Sequence, residues 1–140
     1  MQMSEQRLEA FMREPNIAVL STVGLDGRPH QAPVWHLWED GISYVFTRRR
    51  SRKWQNLLHN PEVSLCIDRN DVPYAYVLVQ GVAAESDRSL HDAVRKMADI
   101  YYEPERAAEM AGRYRDGDPD IALVAITPER VISWEQPDSE

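Results

Sequence analysis

The sequence has little cysteine and no long apolar run, and each absence excludes a class of protein. Its 140 residues contain a single cysteine, Cys66, so an internal disulfide is impossible and a reducing compartment fits. No apolar stretch approaches the roughly 20 residues of a membrane-spanning helix. Residues 1–6 lack the apolar segment of a signal peptide. We therefore expect one cytoplasmic domain, residues 1–140, without a membrane-bound part.

Motifs for metal binding and for hydrolysis are also missing. The four histidines are scattered and show no HxxxH spacing, and no CxxC pair occurs, so we expect no metal site. No nucleophile-elbow sequence supports a catalytic triad. The histidines are His30, His36, His59 and His91.

Charge excludes another class but leaves one feature to explain. The net charge of −7 argues against nucleic-acid binding, which needs a basic surface. Even so, five of the sixteen lysines and arginines lie within residues 48–53. This basic loop is either a solvated surface loop, a contact in a dimer, or a site for an anion.

Hydrophobic periodicity predicts a strand-rich chain with a few helices. Helices are expected at 4–14, 51–60, 89–102 and 105–114, and strands at 17–23, 30–38, 42–47, 63–68, 74–84, 121–127 and 131–134. Residues 17–47 are expected to form a three-stranded meander. Pro33 indicates an edge position or a bulge, Gly81 a possible bulge, and residues 135–140 a frayed tail.

This order of elements favours an α+β fold that is mainly β, with a small closed or partly closed barrel. A small barrel is filled by its own side chains. A ligand is therefore expected outside it, at a loop or at a subunit interface.

The segment 46–58 has the composition of a phosphate site. A strand brings in Thr47, the basic loop follows, and Ser51, Arg52 and Lys53 begin a helix. Helix N-termini offer unpaired N–H groups and a partial positive charge, and the hydroxyl and cationic groups add donors. The same features would also suit sulfate or an acidic loop of a partner.

These residues also carry a resemblance. Phe-Thr, three residues and Ser-Arg-Lys, followed by Asn-Leu and Asn-Pro-x-Val-Ser-Leu, resemble the FMN-phosphate motif of the pyridoxamine 5′-phosphate oxidase-like superfamily. Residues 25–30 and 33–35 resemble the first hairpin of the same superfamily. Residues 73–74, 77–81 and 127–131 are also similar to it, especially to its actinobacterial branch that uses the deazaflavin coenzyme F420. The similarity covers residues 8–134. It implies a split β-barrel of six to seven mostly antiparallel strands with flanking helices, as in FMN-binding proteins.

The resemblance also implies the site. Thr47, Ser51, Arg52 and Lys53 would bind the cofactor phosphate, and the tricyclic ring would lie along Ala32, Pro33, Val34, Trp35 and His36. Members of the superfamily are homodimers with the cofactor between the subunits. Residues near Tyr76 and Val77 of the partner would then complete the site.

Two departures from the family pattern decide the expected activity. Gln31 and His36 stand where the true oxidases have an Arg and a Lys toward the ring, and residues 131–134 lack their Arg/His substrate motif. Oxidation of vitamin B6 compounds is therefore not expected, and FMN is less favoured. Arg48, Arg49 and Arg50 would suit the acidic lactyl-oligoglutamate tail of F420.

We therefore expect an F420-dependent oxidoreductase that passes a hydride to a small conjugated acceptor, such as a tetrapyrrole, a quinone or an activated alkene. His36 is a candidate proton donor. One alternative is an FMN-dependent oxidase or flavin reductase of the same fold. The other is a non-catalytic protein that binds F420, FMN or haem.

Overall fold

A computed structural model describes residues 1–137, and this part of the chain contains seven strands and four helices. In chain order they are α1 (Glu5–Phe11), β1 (Ala18–Val23), β2 (Pro29–Val34), β3 (Leu37–Glu39), β4 (Ile42–Arg48), α2 (Arg52–His59), β5 (Glu62–Arg69), β6 (Ala75–Glu85), α3 (Leu90–Tyr101), α4 (Pro104–Ala111) and β7 (Ile121–Glu135).

All seven strands belong to one antiparallel sheet in the order β2-β1-β5-β6-β7-β4-β3. Strands β2 and β3 occupy opposite edges of this sheet, although only Trp35 and His36 separate them in the chain. Because two residues span only about 7 Å, the sheet must curl until its edges nearly meet. The predicted split barrel is thereby confirmed, and its split lies at Trp35 and His36.

The predicted strand 30–38 and the predicted meander are wrong. The chain from 29 to 39 forms two strands, of which β2 pairs with β1 and β3 pairs with β4. The other partner of β4 is β7, not β2. Alternation along 30–38 identifies which residues face inward but does not identify the neighbouring strand. Pro33 does lie on an edge strand, as predicted, where its missing N–H interrupts little pairing.

Strand β7 is one continuous element where two strands were predicted. Its bulge lies opposite Gly81, as predicted: Gln80 pairs with Arg130 but Gly81 pairs with Pro128, which leaves Glu129 as the extra residue. A Cβ at position 81 would collide with the carbonyl oxygen of Thr127, so the backbones approach as closely as only glycine allows.

The predicted frayed tail is partly paired. The N–H of Glu135 donates to the carbonyl of Met1, and the N–H of Gln136 donates to the carbonyl of Tyr74, both at 2.8 Å. Residues 138–140 lie outside the described residues.

The barrel interior is a continuous apolar cluster. Alternate residues of the strands, such as Leu20, Leu65, Val77 and Ile126, are no more than 1% exposed. Side chains of α1 and α2 pack on the same cluster, among them Phe11, Met12, Trp54 and Leu57. A cofactor therefore has to bind outside the barrel.

A second cluster joins α3 to the other face of the sheet. Leu90, Val94 and Met97 of α3 pack on Leu37, Ile121 and Leu123, with Trp35, Tyr44, Phe46 and Tyr114 partly buried around them. Helix α3 begins at the cap Ser89, whose Oγ accepts from the N–H of Asp92, and α4 begins with Pro104. The four predicted helices are confirmed, with α1 and α4 each ending three residues earlier than expected. Among residues 1–137, no helix combines the length and apolar character that crossing a membrane requires.

Candidate functional site

The predicted phosphate residues converge where β4 ends and α2 begins. Ser51 is the N-cap of α2, and its Oγ accepts from the N–H of Trp54 at 3.2 Å. The same Oγ lies 2.7 Å from Oγ1 of the buried Thr47. Helix geometry leaves the N–H groups of Arg52 and Lys53 without intrahelical acceptors. Two hydroxyls and two backbone donors thus meet at one helix start.

A cavity of about 230 Å³ lies at this point, and we call it the cradle. Its polar lining consists of Thr47, Arg48, Ser51 and Lys53, and its apolar lining consists of Phe46, Tyr114 and Ile121. The exposed Arg52 does not line it. Among the described residues, neither Arg52 nor Lys53 has an acidic partner within ion-pair distance, so both charges are available to an anion.

A second cavity of about 370 Å³ adjoins the cradle and shares Arg48 with it. It is lined by Arg48, Arg49, Arg50, Gln55 and Asp120. Arg48 and Arg50 are exposed, and within residues 1–137 neither is in an ion pair. We call this cavity the arginine pocket.

Arg49 differs from its two neighbours because the protein itself binds its side chain. The guanidinium pairs with Glu85 and lies 5.1 Å from the ring centroid of Trp54. Its N–H donates to the carbonyl of Asp120, and its carbonyl accepts from Nε2 of Gln55 at 2.8 Å. Arg49 therefore holds the basic loop in place, whereas Arg48 and Arg50 point their charges outward.

The residues predicted to lie along the ring fall at the split of the barrel. Ala32 is partly exposed and Pro33 exposed on the free edge of β2, whereas Val34 is buried in the barrel cluster. The indole of Trp35 is stacked on Tyr101, with ring centroids 5.2 Å apart and planes at 22°. One face of Trp35 is therefore already covered.

An aromatic row connects this split with the cradle. Trp35 has edge contacts with Tyr102 at 5.6 Å and with Phe46 at 6.3 Å, and Phe46 has one with Tyr114 at 4.9 Å. The sheet and the α3–α4 hairpin both contribute to this row. It forms one surface from the predicted ring position to the predicted phosphate position.

His36 does not face the outside of the barrel. Its side chain is 1% exposed, and burial lowers its pKa from 6.5 to about 4. Its Nδ1 has no hydrogen-bond partner among the described residues. A buried imidazole that is neutral at pH 7 is a poor proton donor, so this placement argues against the predicted role.

The burial of His36 predicts a pH-dependent stability. Its pKa is lower in the folded chain than in the unfolded chain, so its contribution is present above pH 6.5 and is lost as the pH falls toward 4. The free energy of unfolding should therefore fall by about 2 kcal/mol from this group between pH 7.5 and pH 5.

Urea unfolding at the two pH values checks this expectation. A His36→Gln variant should lose that part of the pH dependence, whereas the exposed-site variant His59→Gln should keep it. An unchanged pH dependence in His36→Gln would mean that His36 is not the group responsible.

The two residues predicted for the partner's side of the site have different surroundings. Val77 is fully buried in the barrel cluster, so its side chain is unavailable to any ligand. Tyr76 lies on the outer face, stacked on Trp134 with ring centroids 6.0 Å apart. Of these two residues, only Tyr76 has a side chain that a ligand or a second copy of the chain could contact.

Sequence reasoning missed the contribution of the α3–α4 hairpin to the site. Tyr101 covers one face of Trp35, its hydroxyl donates to the carbonyl of Asn16 at 2.9 Å, and burial raises its pKa. Tyr114 lines the cradle. Both tyrosines lie far along the chain from the phosphate motif, and the local pattern around them carries no signal beyond helical packing.

The geometry agrees with similarities to known proteins. The chain matches the family model described as pyridoxamine 5′-phosphate oxidase over residues 4–135. It is 36% identical over 95 residues to pyridoxine/pyridoxamine 5′-phosphate oxidase 2 of Hydrogenovibrio crunogenus, over 66% of this chain and 43% of that protein. The chain thus aligns with less than half the length of that relative.

Two further similarities cover most of the chain. A 5a,11a-dehydrotetracycline/5a,11a-dehydrooxytetracycline reductase of Streptomyces rimosus subsp. rimosus is 26% identical over 133 residues, 92% of this chain and 81% of that one. The crystal structure of a conserved hypothetical protein from Mycobacterium tuberculosis superimposes with a TM-score of 0.79 at 27% identity. That superposition covers 95% of this chain and 85% of that one.

Proposed function

This chain belongs to the pyridoxamine 5′-phosphate oxidase family, and from that premise we propose that it is an F420-dependent oxidoreductase acting on a small conjugated acceptor. Its family is one of oxidoreductases, and the Streptomyces relative is named as a reductase. When bound, the reduced deazaflavin supplies the hydride, and the protein supplies binding and orientation.

The observation that carries this proposal is the cradle. The cradle suits an anionic phosphate group, because it offers the paired hydroxyls of Thr47 and Ser51, the ammonium of Lys53 and the start of α2. The aromatic row that begins beside the cradle suits a flat ring system at the other end of the same molecule. These residues fit a flavin-type cofactor that carries a phosphate on its side chain.

The arginine pocket favours F420 over FMN. FMN has one anionic group, and the cradle would satisfy it. F420 carries a further acidic tail, and Arg48 and Arg50 line a cavity next to the cradle without an acidic partner among the described residues. Gln31 and His36 give the ring no cation, which also weakens the case for FMN.

The double substitution Arg48→Ala/Arg50→Ala should separate the two cofactors. We expect F420 affinity to fall about tenfold, since two exposed charge contacts with the tail are lost. FMN affinity should fall only about threefold, since Arg48 also lines the cradle but Arg50 does not. Fluorescence titration of the wild type and the variant with both cofactors measures this. Arg49 is left intact because its pairing with Glu85 stabilises the loop.

Three outcomes of these experiments would contradict the proposal. Equal loss for FMN and F420 would mean that the arginines act on the phosphate rather than on a tail. A wild-type preference for FMN would replace the F420 assignment with the FMN-dependent alternative. Tight binding without turnover of any acceptor would favour the non-catalytic binder.

A homodimer is the second part of the proposal, and the outer face of the sheet supports it. Strand register aligns Pro33, Val19, Cys66, Leu78 and Ile132 in one row across five strands. Pro33 is exposed and the other four are partly exposed. We call this the apolar row. Such a contiguous surface is typical of a protein interface.

The position of the row also suits a shared site. Pro33 belongs both to the row and to the strand predicted to lie along the ring. The Tyr76–Trp134 stack flanks the row, because Tyr76 lies two residues from Leu78 on the same face of β6. A second copy seated on this face would bring its Tyr76 toward the split, as the resemblance implies.

A further inference from the structure

We propose that Tyr114, from the segment between α4 and β7, is a cofactor-binding residue that completes the cradle. This inference rests on the proposed function, because it assigns a ligand to the same cavity. The ligand class is a phosphate ester with its adjoining polyol chain, which FMN and F420 have in common. The phenol ring would form the wall of the cradle and its hydroxyl would donate to the ligand.

Tyr114 is placed to contact a ligand in the cradle. It lines the same cavity as Thr47, Ser51 and Lys53, although it lies more than 60 residues further along the chain. Its ring meets Phe46 edge to face at 4.9 Å, and Phe46 directly precedes Thr47 on β4. The ring is therefore wedged between the end of the strand and the opening of the cavity.

The hydroxyl of Tyr114 is an available donor. It has no hydrogen-bond partner among the described residues, and its oxygen is not one of the buried unpaired side-chain atoms, so it is open to solvent. A ligand oxygen in the cradle can therefore replace water at this hydroxyl. A phosphate or polyol oxygen in the cradle is a partner of the right kind, because it accepts a hydrogen bond from a neutral phenol.

Hydrogen bonds on either side of Tyr114 hold the segment between α4 and β7 in place. The carbonyls of Ala111 and Tyr114 lie 3.1 and 3.0 Å from Nδ1 of His91, and since carbonyls only accept, this nitrogen carries the proton. The carboxylate of Asp116 accepts from Ser89 Oγ and from the N–H of His91. These bonds attach the Tyr114 segment to the start of α3, so the ring is positioned before a ligand arrives.

Binding measurements on Tyr114→Phe and Tyr114→Ala test the inference with FMN and riboflavin as probes. Loss of one hydrogen bond to a charged group should weaken FMN binding about tenfold in Tyr114→Phe. Riboflavin lacks the phosphate, so it should bind the wild type and Tyr114→Phe alike if the hydroxyl donates to phosphate. A loss of riboflavin affinity as well would indicate the polyol chain and would still support the assignment.

Tyr74→Phe is the matched control, since Tyr74 is 50% exposed and does not line the cradle. It should bind FMN as the wild type does. Tyr114→Phe keeps the ring that packs on Phe46, so it preserves the fold even if Tyr114→Ala does not. Unchanged FMN affinity in Tyr114→Phe, with wild-type preference for FMN over riboflavin intact, would overturn this inference and leave the cradle standing. If the wild type bound FMN and riboflavin with equal affinity, both this inference and the cradle as a phosphate site would be overturned.

Discussion

The double substitution Arg52→Ala/Lys53→Ala should weaken binding of FMN and of F420 about 30-fold. The charge-assisted hydrogen bond from Lys53 to phosphate contributes roughly 1.5 kcal/mol, and the exposed charge of Arg52 beside the cradle adds less than about 1 kcal/mol. Lys53 lines the cradle, and Arg52 follows the N-cap Ser51. Neither side chain pairs with an acidic group among residues 1–137, so their removal leaves the described ion pairs of the fold intact. Fluorescence titration of the apo-protein measures the loss.

A control variant has to separate the loss of two positive charges from the loss of these particular side chains. Arg13→Ala/Arg28→Ala removes the same two charges from exposed positions elsewhere and should leave both affinities within about twofold of the wild type. If both double variants lost affinity equally, the effect would come from the net charge of the protein. Wild-type affinity in Arg52→Ala/Lys53→Ala would remove the cradle as the phosphate site.

Leu78→Asp should convert the proposed dimer to a monomer. Leu78 lies within the apolar row, between Cys66 and Ile132. Burying an unpaired carboxylate at an interface costs several kcal/mol, so association should weaken more than about 100-fold. Cofactor affinity should fall as well, because the proposal gives the partner's Tyr76 a place beside the ring.

Sedimentation or light scattering gives the mass of each protein, and a titration gives its cofactor affinity. Leu25→Asp is the matched control, since the same substitution is made at a leucine that is 82% exposed and outside the row. It should remain a dimer with wild-type affinity. A wild type that is monomeric at working concentration, or a folded Leu78→Asp that keeps the mass of a dimer, would contradict the proposed interface.

The sequence allowed the elements and the cradle to be predicted because both depend on short-range patterns. The change from a two-residue period to a helical period near Ser51 marks the junction of β4 and α2. Hydroxyl and cationic residues at a helix start carry their chemistry in their order along the chain. The order of elements indicated a small barrel, and the resemblance, which covered the same residues, specified a split β-barrel.

The rest depends on contacts between distant segments. Alternation along residues 30–38 could not reveal that the chain crosses from one sheet edge to the other at Trp35 and His36. It also could not reveal that Arg49 pairs with Glu85, which separates it from Arg48 and Arg50. Tyr114 reaches the cradle only because α3 and α4 fold back over the sheet. Each of these features is fixed by tertiary packing, which a local pattern does not encode.

The most direct test of the central claim is a titration of the wild-type apo-protein with FMN and with riboflavin, which differ only in the phosphate. A cradle built from Thr47, Ser51 and Lys53 at the start of α2 predicts that FMN binds at least about 100-fold more tightly. Equal affinity for the two compounds, or no binding of FMN, would contradict the assignment of this cavity as a phosphate site and the proposed function built on it.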